Sequence, residues 1–300
     1  MKKCIILINY NRSQDTVECV NTLRSQTGED IYILDNSENE HELLTLTKAF
    51  ACHSGISIFA SKENVGFAAG INFLLHKVLT GPYEAILILN NDTIADANMV
   101  NNLCIGMQRF HLDISAPIIY RHHAVNKVWS SGQYYNCYTA FITSRPIRIL
   151  PRNLFFLTGC CLLVRRNVFA SAGLFDESFF MYGEDVDFCQ RALIAGCSIG
   201  VVPDAVLYHK INASSVPASF FYEYHINLGH FLLSAKTLDT QRAVLTSIII
   251  KYITLFFRAA TRSLRFRTGG PLRGYMSAIR DLPMTSLMKR GITREGTRKS

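Results

Sequence analysis

Short apolar runs alternate with helix-like stretches through the first 120 residues, and this alternation constrains the fold more than any other feature of the sequence. Short runs rich in isoleucine, leucine and valine are typical of buried parallel strands. We predict strands at 4–9, 31–35, 56–60, 85–89 and 114–117, with helices near 14–26, 40–52, 67–79 and 96–110. The pattern indicates an α/β fold whose mostly parallel sheet is flanked by helices.

Polar residues follow the predicted strands at the same end each time. They are Asn9, Asn11 and Arg12 after the first strand, Asp35 after the second, Asn64 and Gly66 after the third, and Asn90, Asn91 and Asp92 after the fourth. Open α/β sheets bind ligands at the carboxyl ends of their strands. We therefore expect these side chains to converge on one crevice, although a single cluster would be an ordinary turn.

Composition suits one large α/β domain or a domain with an appendage. The 300 residues are 49% hydrophobic, which is ample for a buried core. The nine cysteines include no Cys-x-x-Cys and lie mostly in apolar stretches, which indicates reduced core thiols in a cytosolic protein. The apolar run at 4–8 is too short for a signal peptide, so we interpret it as a buried strand.

The net charge of +8 is concentrated at the C-terminal end of the chain. Residues 236–300 hold 14 lysines and arginines against 3 acidic residues, whereas residues 1–235 hold 17 against 20. We therefore predict a main domain at 1–235 and a basic helical tail at 236–300. This asymmetry favours an acidic surface as partner, either a membrane or a nucleic acid.

Three carboxylates, Glu184, Asp185 and Asp187, follow Gly183 and an aromatic run. Partly desolvated acids crowded together have raised pKa values, as a general base needs. Helical geometry places Glu184 and Asp187 on one face and turns Asp185 about 100° away. One carboxylate can then face a substrate while two anchor the loop; the alternative is a surface helix with acids at its N-terminus.

The stretch 120–155 is irregular and contains the only tryptophan, Trp129. Its aromatic residues either stack on a sugar or form a hydrophobic plug under a loop, and both interpretations stay open here. Beyond it, we predict a strand at 158–164, a helix from Glu184 to residue 195, a strand at 198–202, and a histidine, His209, after that strand.

Taken in order, these segments resemble the inverting glycosyltransferases of family 2, which have the GT-A fold, and most of all their rhamnosyltransferase-like bacterial members. The resemblance covers residues 4–212 and rests on segments 9–12, 34–37, 63–72, 89–93, 173–177, 182–187 and 202–209. It implies a nucleotide-diphosphate sugar donor, with dTDP-rhamnose favoured, and a glycan or lipid-linked glycan acceptor in surface polysaccharide biosynthesis. It also implies nucleotide-sugar binding by Asn9, Asn11, Arg12, Asp35, Asn64, Gly66 and Asn91.

The family's Asp-x-Asp motif, which holds Mg²⁺ or Mn²⁺ on the diphosphate, corresponds here to residues 90–92. Asn90 replaces the first aspartate, so Asp92 is the charged ligand, and His209 matches a histidine that completes the metal site in some relatives. The resemblance makes Asp185 the base that deprotonates the acceptor hydroxyl in a single inverting step. We expect Glu184 and Trp129 at the acceptor and Asp187 supporting the loop.

Residues 243–257 are strongly apolar, but this run is shorter than the ~20 residues that a membrane-spanning helix needs. Arginines follow it at 258, 262, 265 and 267. Apolar bulk beside basic residues favours a helix lying on an anionic membrane, which places the protein peripherally on the cytoplasmic face of the cell membrane. The alternative is a helix packed on the main domain.

Three other classes of protein are alternatives to a glycosyltransferase. Asn90 favours a catalytically degenerate nucleotide-binding scaffold of the same fold, whereas the retained Asp92, Asp185 and His209 favour an enzyme. The tail lacks regularly interleaved aromatic residues, so we expect no nucleic-acid partner. The first strand leads into polar residues and not into Gly-x-Gly-x-x-Gly, which argues against a dinucleotide oxidoreductase.

Overall fold

The computed structural model describes residues 1–210, 216 and 218–283. Their contacts divide the chain into two compact units. Unit 1 comprises Met1–Gly132, Leu157–Phe180 and Arg191–Ser214, and unit 2 comprises Gln133–Phe156, Met181–Gln190 and Ser215–Ser300, each as far as its residues are described.

Unit 1 is built on one mixed sheet. Its strands are β1 (Lys3–Asn9), β2 (Asp30–Asp35), β3 (Ile56–Ala60), β4 (Ala85–Asn90), β5 (Thr93–Ala95), β6 (Ile114–Arg121), β7 (Ala124–Ser130), β11 (Cys161–Arg165) and β12 (Ile199–His209). The order is β3-β2-β1-β4-β11-β6-β12-β5, with β7 paired to β6. The pairs β1–β2, β2–β3, β1–β4 and β6–β12 are parallel, and the other four pairs in the described sheet are antiparallel. The α/β fold class is confirmed.

The helices of unit 1 follow the predicted alternation. They are α1 (Ser13–Arg24), α2 (Glu40–Phe50), α3 (Gly66–Val78), α4 (Met99–Arg109) and the short α5 (Arg166–Ala172). Asn39 caps α2 by accepting a hydrogen bond from the backbone N–H of His41. The core lies between these helices and the central strands, where residues such as Ile5, Leu87 and Leu103 are fully buried.

Among the strands that differ from the prediction, two position the candidate site. The strand expected at 198–202 continues as β12 to His209, with an irregularity between Val202 and Val206 that lets the pairing with β6 resume. The three-residue β5 was not predicted, because so short a strand exists only through its pairing with β12. Together these two differences place Asp92 and His209 side by side.

Unit 2 combines a small sheet with helices. The sheet pairs β8 (Gln133–Asn136) with β9 (Ile142–Thr143) and β10 (Asn153–Phe156). The helices are α7 (Phe220–Thr237), α8 (Gln241–Phe266) and α9 (Gly270–Arg280), and Met181–Gln190 contains the start of α6 (Glu184–Ile194). Within this unit Tyr135 is fully buried and stacks on His230. Tyr135 therefore fits the hydrophobic-plug interpretation of the 120–155 stretch.

The cysteines carry no disulfide. All nine are free, and Cys4, Cys19, Cys137, Cys160, Cys161 and Cys189 are buried. Burial raises the pKa of Cys4 and of Cys19 to about 12, which keeps both thiols protonated. Most of the cysteines are thus unreactive core residues, as expected from the sequence.

Candidate functional site

The carboxyl ends of β1, β2 and β4 are joined by a web of buried polar side chains. Asn9 donates from Nδ2 to Asp35 Oδ1 at 2.9 Å and to Glu42 Oε2 at 3.1 Å. Thr16 donates to Asn9 Oδ1 at 2.7 Å, and Asn91 donates to Thr16 Oγ1 at 2.8 Å. Because Asn9 and Asp35 are almost completely buried, this web fixes the strand ends relative to one another.

Asn11 and Arg12 lie at the surface next to this web. Asn11 has a left-handed backbone with φ of 53°, and its N–H donates to Ser37 Oγ at 2.7 Å. Arg12 immediately precedes α1 and is exposed, so its guanidinium is accessible to an anion near the N-terminal end of that helix.

Asn64 and Gly66 form a tight loop before α3. Asn36 organises this loop: its Nδ2 donates to Asn64 Oδ1 at 2.9 Å, and its Oδ1 accepts from the N–H of Val65 at 3.1 Å. Gly66 has φ of +82°, and a Cβ there would lie 2.4 Å from the carbonyl oxygen of Phe180. The glycine is thus required by a close backbone approach, which is made by Phe180 of the same unit.

Asp92 and His209 form a buried pair at the other side of the sheet end. His209 Nε2 lies 3.0 Å from Asp92 Oδ1, and both residues are more than nine-tenths buried. The pair is fixed from the backbone, since His209 pairs with Thr93 in the β5–β12 ladder and the Lys210 N–H donates to the carbonyl of Asp92. His209 Nδ1 is buried and has no hydrogen-bond partner among the described residues.

Trp129 packs against this pair. Its ring lies edge-on to the His209 ring, with centroids 4.6 Å apart. Trp129 belongs to β7 and is partly buried against the core of unit 1, so it contacts a predicted metal-site residue. The sequence predicted it at the acceptor, and that role stays a prediction.

A cavity of about 720 Å³ with basic residues in its wall opens beside His209. It is lined by Arg121, His122, His123, Ala124, Lys127, Val128, His209 and Lys210. Lys210 is partly neutralised, because its Nζ pairs with Asp15 at 2.5 Å and with Glu18 at 2.7 Å. The remaining lining contains cationic and imidazole groups and no carboxylate, which suits a ligand bearing phosphate.

Asp92 and His209 fit two positions in the ligand set of a divalent cation. One carboxylate oxygen and one imidazole nitrogen suit Mn²⁺, and Mg²⁺ is commonly held by one or two carboxylates together with substrate phosphates. Across the described ranges no group of three or more histidine, cysteine, aspartate and glutamate side chains is arranged to hold a metal. Asp92 and His209 are therefore two of the ligands that such a site would need, and further ligands would come from elsewhere, such as a diphosphate.

The acidic segment lies in unit 2, where α6 begins at Glu184. Glu184 and Asp187 are buried, at 7% and 4% exposure, whereas Asp185 is only partly buried. This burial pattern is the one expected from helical geometry. Asp185 Oδ1 accepts from the Val186 N–H at 2.8 Å, and the Asp187 N–H donates to the Gly183 carbonyl at 3.0 Å.

Glu184 is buried beside two other carboxyl groups. Burial, followed by the charges of Asp185 and Asp187, raises the pKa of Glu184 well above its usual range. Its Oε2 is buried and has no hydrogen-bond partner in the described chain. Neighbouring carboxylates resist ionising together, so the surroundings of Glu184 favour the protonated form of its carboxyl group.

The sequence did not reveal Asn36 and Glu42, which support the predicted site residues. Asn36 follows Asp35 within the segment 34–37, and that position was its only signal. Glu42 lies in α2, where acids are common in the first turn, so no local pattern distinguishes it.

Comparison with known proteins identifies the family. The model of glycosyl transferase family 2 matches residues 4–173, more than half of the chain. A low-salt glycan biosynthesis hexosyltransferase, Agl10 of Haloferax volcanii, is 23% identical over 90% of this chain and 93% of its own length. An N-acetylglucosaminyl-diphospho-decaprenol L-rhamnosyltransferase of Mycobacterium tuberculosis is 37% identical, but the match covers only 37% of this chain and 36% of the relative.

Solved structures agree on the fold. The mannosyltransferase PcManGT from Pyrobaculum calidifontis, in complex with GDP-Man and Mn²⁺, superposes with a TM-score of 0.57 at 13% identity and covers 100% of this chain and 88% of its own. GalNAc-T7, solved with UDP, GalNAc and Mn²⁺, gives a TM-score of 0.64 at 12% identity over 86% of this chain and 51% of its own. The chain belongs to glycosyltransferase family 2, has the GT-A fold and is a glycosyltransferase.

Proposed function

We propose that this glycosyltransferase moves a sugar, with inversion, from a nucleotide-diphosphate sugar to a hydroxyl of a glycan or lipid-linked glycan acceptor. A role in glycan biosynthesis follows from the family and from its hexosyltransferase and rhamnosyltransferase relatives. The observation that carries the more specific proposal is the buried Asp92–His209 pair beside a basic cavity. A diphosphate with a divalent cation is the ligand chemistry that this combination fits best.

The residues proposed to bind the donor have separate roles. The web around Asn9 and Asp35 holds the strand ends in place, and the exposed Arg12 supplies a positive charge for the diphosphate. Asp92 and His209 would hold Mn²⁺ or Mg²⁺, which when bound neutralises charge on the leaving diphosphate. The rhamnosyltransferase relatives make dTDP-rhamnose the first donor to test.

Asp185 is the proposed general base. The acceptor hydroxyl gives its proton to Asp185 while its oxygen bonds to the anomeric carbon, and the bond from that carbon to the diphosphate oxygen breaks on the opposite face. A nucleoside diphosphate leaves readily, so one carboxylate suffices where a glycosidase needs two. Glu184, whose buried Oε2 has no hydrogen-bond partner in the described chain, is suited to orient the acceptor by hydrogen bonding to one of its oxygens.

The test is a panel of nucleotide sugars, each measured for thermal stabilisation of the protein with and without Mn²⁺ and then for transfer to glycan acceptors. We expect one donor to stabilise the protein in a Mn²⁺-dependent way, and its transferred sugar to have the inverted anomeric configuration by NMR. Retained configuration would contradict the single-step mechanism.

Membrane attachment through α8 is a second proposal. By length and composition alone, α8 is the one helix in the described chain that would be able to cross a membrane. Its 26 residues exceed the apolar run at 243–257 noted in the sequence. However, its inner face packs against α7 and α9 and contains the buried Lys251, which suits a helix lying on a surface better than one crossing lipid.

The outer face of α8 is apolar and exposed along its length. Leu245, Ile249, Ile253, Phe256, Phe257 and Leu264 are each at least 38% exposed. Of the four arginines that the sequence assigned to a membrane surface, Arg258 and Arg262 pair with Glu223, whereas Arg265 and Arg267 are exposed. We propose that the apolar face inserts among acyl chains while Arg265 and Arg267 meet anionic headgroups on the cytoplasmic side.

Point variants test this proposal better than truncation, because α8 supplies buried contacts within unit 2. Ile249→Glu with Ile253→Glu should abolish co-sedimentation with anionic vesicles. Ile105→Glu on α4, whose side chain is 52% exposed, is the matched control and should leave it unchanged. Full-length protein that never sediments with such vesicles would rule out the attachment.

A further inference from the structure

Glu223 on α7 is a fully buried carboxylate held by two arginines of α8. Arg258 Nη1 lies 2.7 Å from its Oε2, and Arg262 Nε lies 2.5 Å from its Oε1. Gly274 of α9 lies against the same residue, since a Cβ at position 274 would come within 2.7 Å of Glu223 Cβ. The carboxylate of Glu223 therefore joins α7 to α8 through two ion pairs, and α9 packs closely against the same residue.

Arg262 makes a second contact that continues from this ion pair. Its guanidinium lies over the ring of Tyr222, 5.5 Å from the centroid. The Tyr222 ring in turn packs edge-on against Tyr182, with centroids 5.2 Å apart and planes at 70°. Ser219 fixes the start of α7 by accepting a hydrogen bond from the Tyr222 N–H.

Tyr182 is the residue at which this chain of contacts meets the acidic segment. Its backbone is left-handed, with φ of 69°, which is costly for a residue with a bulky side chain. Gly183 follows with φ of +103°, and the first turn of α6 begins directly after it. The backbone angles of Tyr182 and Gly183 thus fix where the first turn of α6, which contains Asp185, leaves the preceding loop.

We propose that Arg262 and Tyr222 are positioning residues that hold Tyr182 in its left-handed conformation and thereby aim Asp185. The proposal rests on the role of Asp185 as base given above. A strained backbone conformation persists only where its surroundings determine it, and the Tyr222 ring packs directly against the residue that adopts it. Gln190 anchors α6 further along, since its Nε2 donates to the Phe155 carbonyl at 2.9 Å. The first turn of α6 is thus the part that depends on Tyr222.

Arg258 offers a matched control, because it pairs with the other oxygen of Glu223 while the contact with the Tyr222 ring belongs to Arg262. Arg262→Met and Arg258→Met should lower the unfolding temperature by similar amounts. Only Arg262→Met should also lower kcat, by about tenfold or more, with the donor KM unchanged, since misplacing a catalytic group slows chemistry without weakening donor binding.

Two variants of Tyr222 distinguish the contribution of its aromatic ring from that of its hydroxyl group. Tyr222→Leu should reproduce the kcat loss of Arg262→Met, and Tyr222→Phe, which keeps the ring, should restore it. Hydrogen exchange at residues 183–187 gives a readout that needs no turnover. We expect about fivefold faster exchange in Arg262→Met and Tyr222→Leu, and wild-type exchange in Arg258→Met and Tyr222→Phe.

Equal effects of Arg258→Met and Arg262→Met on kcat and on exchange would overturn the proposal and leave the Glu223 cluster as a structural clamp. Unchanged exchange at 183–187 in Arg262→Met would overturn it as well. If the wild-type protein transfers no sugar, the proposed function fails, while the exchange measurements still decide whether Arg262 and Tyr222 hold the acidic segment.

Discussion

The two units place buried polar groups in opposite ways. In unit 1 the buried groups at the strand ends are mostly amides and hydroxyls joined in a continuous web from Glu42 through Asn9 to Asn91. In unit 2 the buried ionisable groups include Glu223, which pairs with two arginines, and Lys251, which has neutral hydrogen-bond partners. Glu184 adds a buried carboxyl oxygen without a partner in the described chain.

This difference suits the separate roles proposed for the two sets of residues, donor binding in unit 1 and proton transfer in unit 2. A continuous web of amides and hydroxyls that also ties in the carboxylates of Asp35 and Glu42 holds the strand ends in place, which suits a fixed donor platform. Buried charges make conformation and protonation depend on one another, which suits a segment that must accept and release a proton.

Asp185→Asn removes the proposed base while keeping the shape of the side chain. We expect kcat to fall about 10²–10⁴-fold, because base catalysis typically contributes that much. Nucleotide-sugar affinity, measured by calorimetry, should be unchanged. Turnover close to that of the wild-type protein would refute the assignment.

Asp92→Ala removes the carboxylate of the Asp92–His209 pair. Affinity for the nucleotide sugar in the presence of Mn²⁺ should fall by about tenfold or more, since losing even outer partners of a metal site commonly costs that much. Without Mn²⁺ the variant and the wild-type protein should bind alike. Titrations that superimpose with Mn²⁺ present would exclude Asp92 as a ligand.

Asn9→Ala opens the web in unit 1. It leaves Asp35 Oδ1 and Thr16 Oγ1 short of a buried partner, and we expect the free energy of unfolding to fall by about 2 kcal/mol. Denaturant titration measures this loss. Asn21→Ala on the exposed face of α1 is the control and should change stability by less than about 0.5 kcal/mol.

Lys251→Met tests whether a buried ionisable group makes the stability of the protein depend on pH. Lys251 Nζ donates to the His230 carbonyl at 2.7 Å, and burial lowers the pKa of Lys251 from 10.5 to about 7. Between these values only the unfolded state binds the proton, so the wild-type protein should gain about 1 kcal/mol from pH 7 to pH 8.

The Lys251→Met variant should lose this pH-dependent gain and be at least as stable as the wild-type protein at pH 7, since replacing a buried charge by an apolar group is often stabilising. Thermal unfolding across that pH range is the measurement. A variant whose stability rises with pH as steeply as that of the wild-type protein would show that Lys251 is not the titrating group.

The sequence was most informative where a pattern repeats. The βα alternation placed β1 to β4 within a residue or two, because buried parallel strands have a continuous apolar signal. The short β5 and the full length of β12 carried no such signal, since Pro203 and Asp204 interrupt the run and the pairing itself defines both strands. The same pairing brings Asp92 to His209 across 117 positions, and only the family motif suggested that meeting.

In the candidate site, too, the sequence predicted repeated local patterns but not contacts between distant residues. Strand-end position predicted the grouping of Asn9, Asp35 and Asn91, because strand order brings parallel ends together. Nothing local linked Arg262 to Glu223 or Tyr222 to Tyr182, and the arginines looked like membrane-binding groups. Charge patterns give the sign of a surface, but a buried partner 39 residues away decides whether an arginine is available at all.

Gly66 has a consequence for anyone exchanging loops between members of this family. Phe180 presses its carbonyl into the space that a side chain at 66 would fill and accepts a hydrogen bond from the Phe67 N–H at 2.7 Å. The turn before α3 and the segment that leads to Phe180 are therefore in direct contact, and each constrains the conformation of the other. More than a hundred positions separate them in the sequence. A graft that changes donor preference should transplant both pieces together.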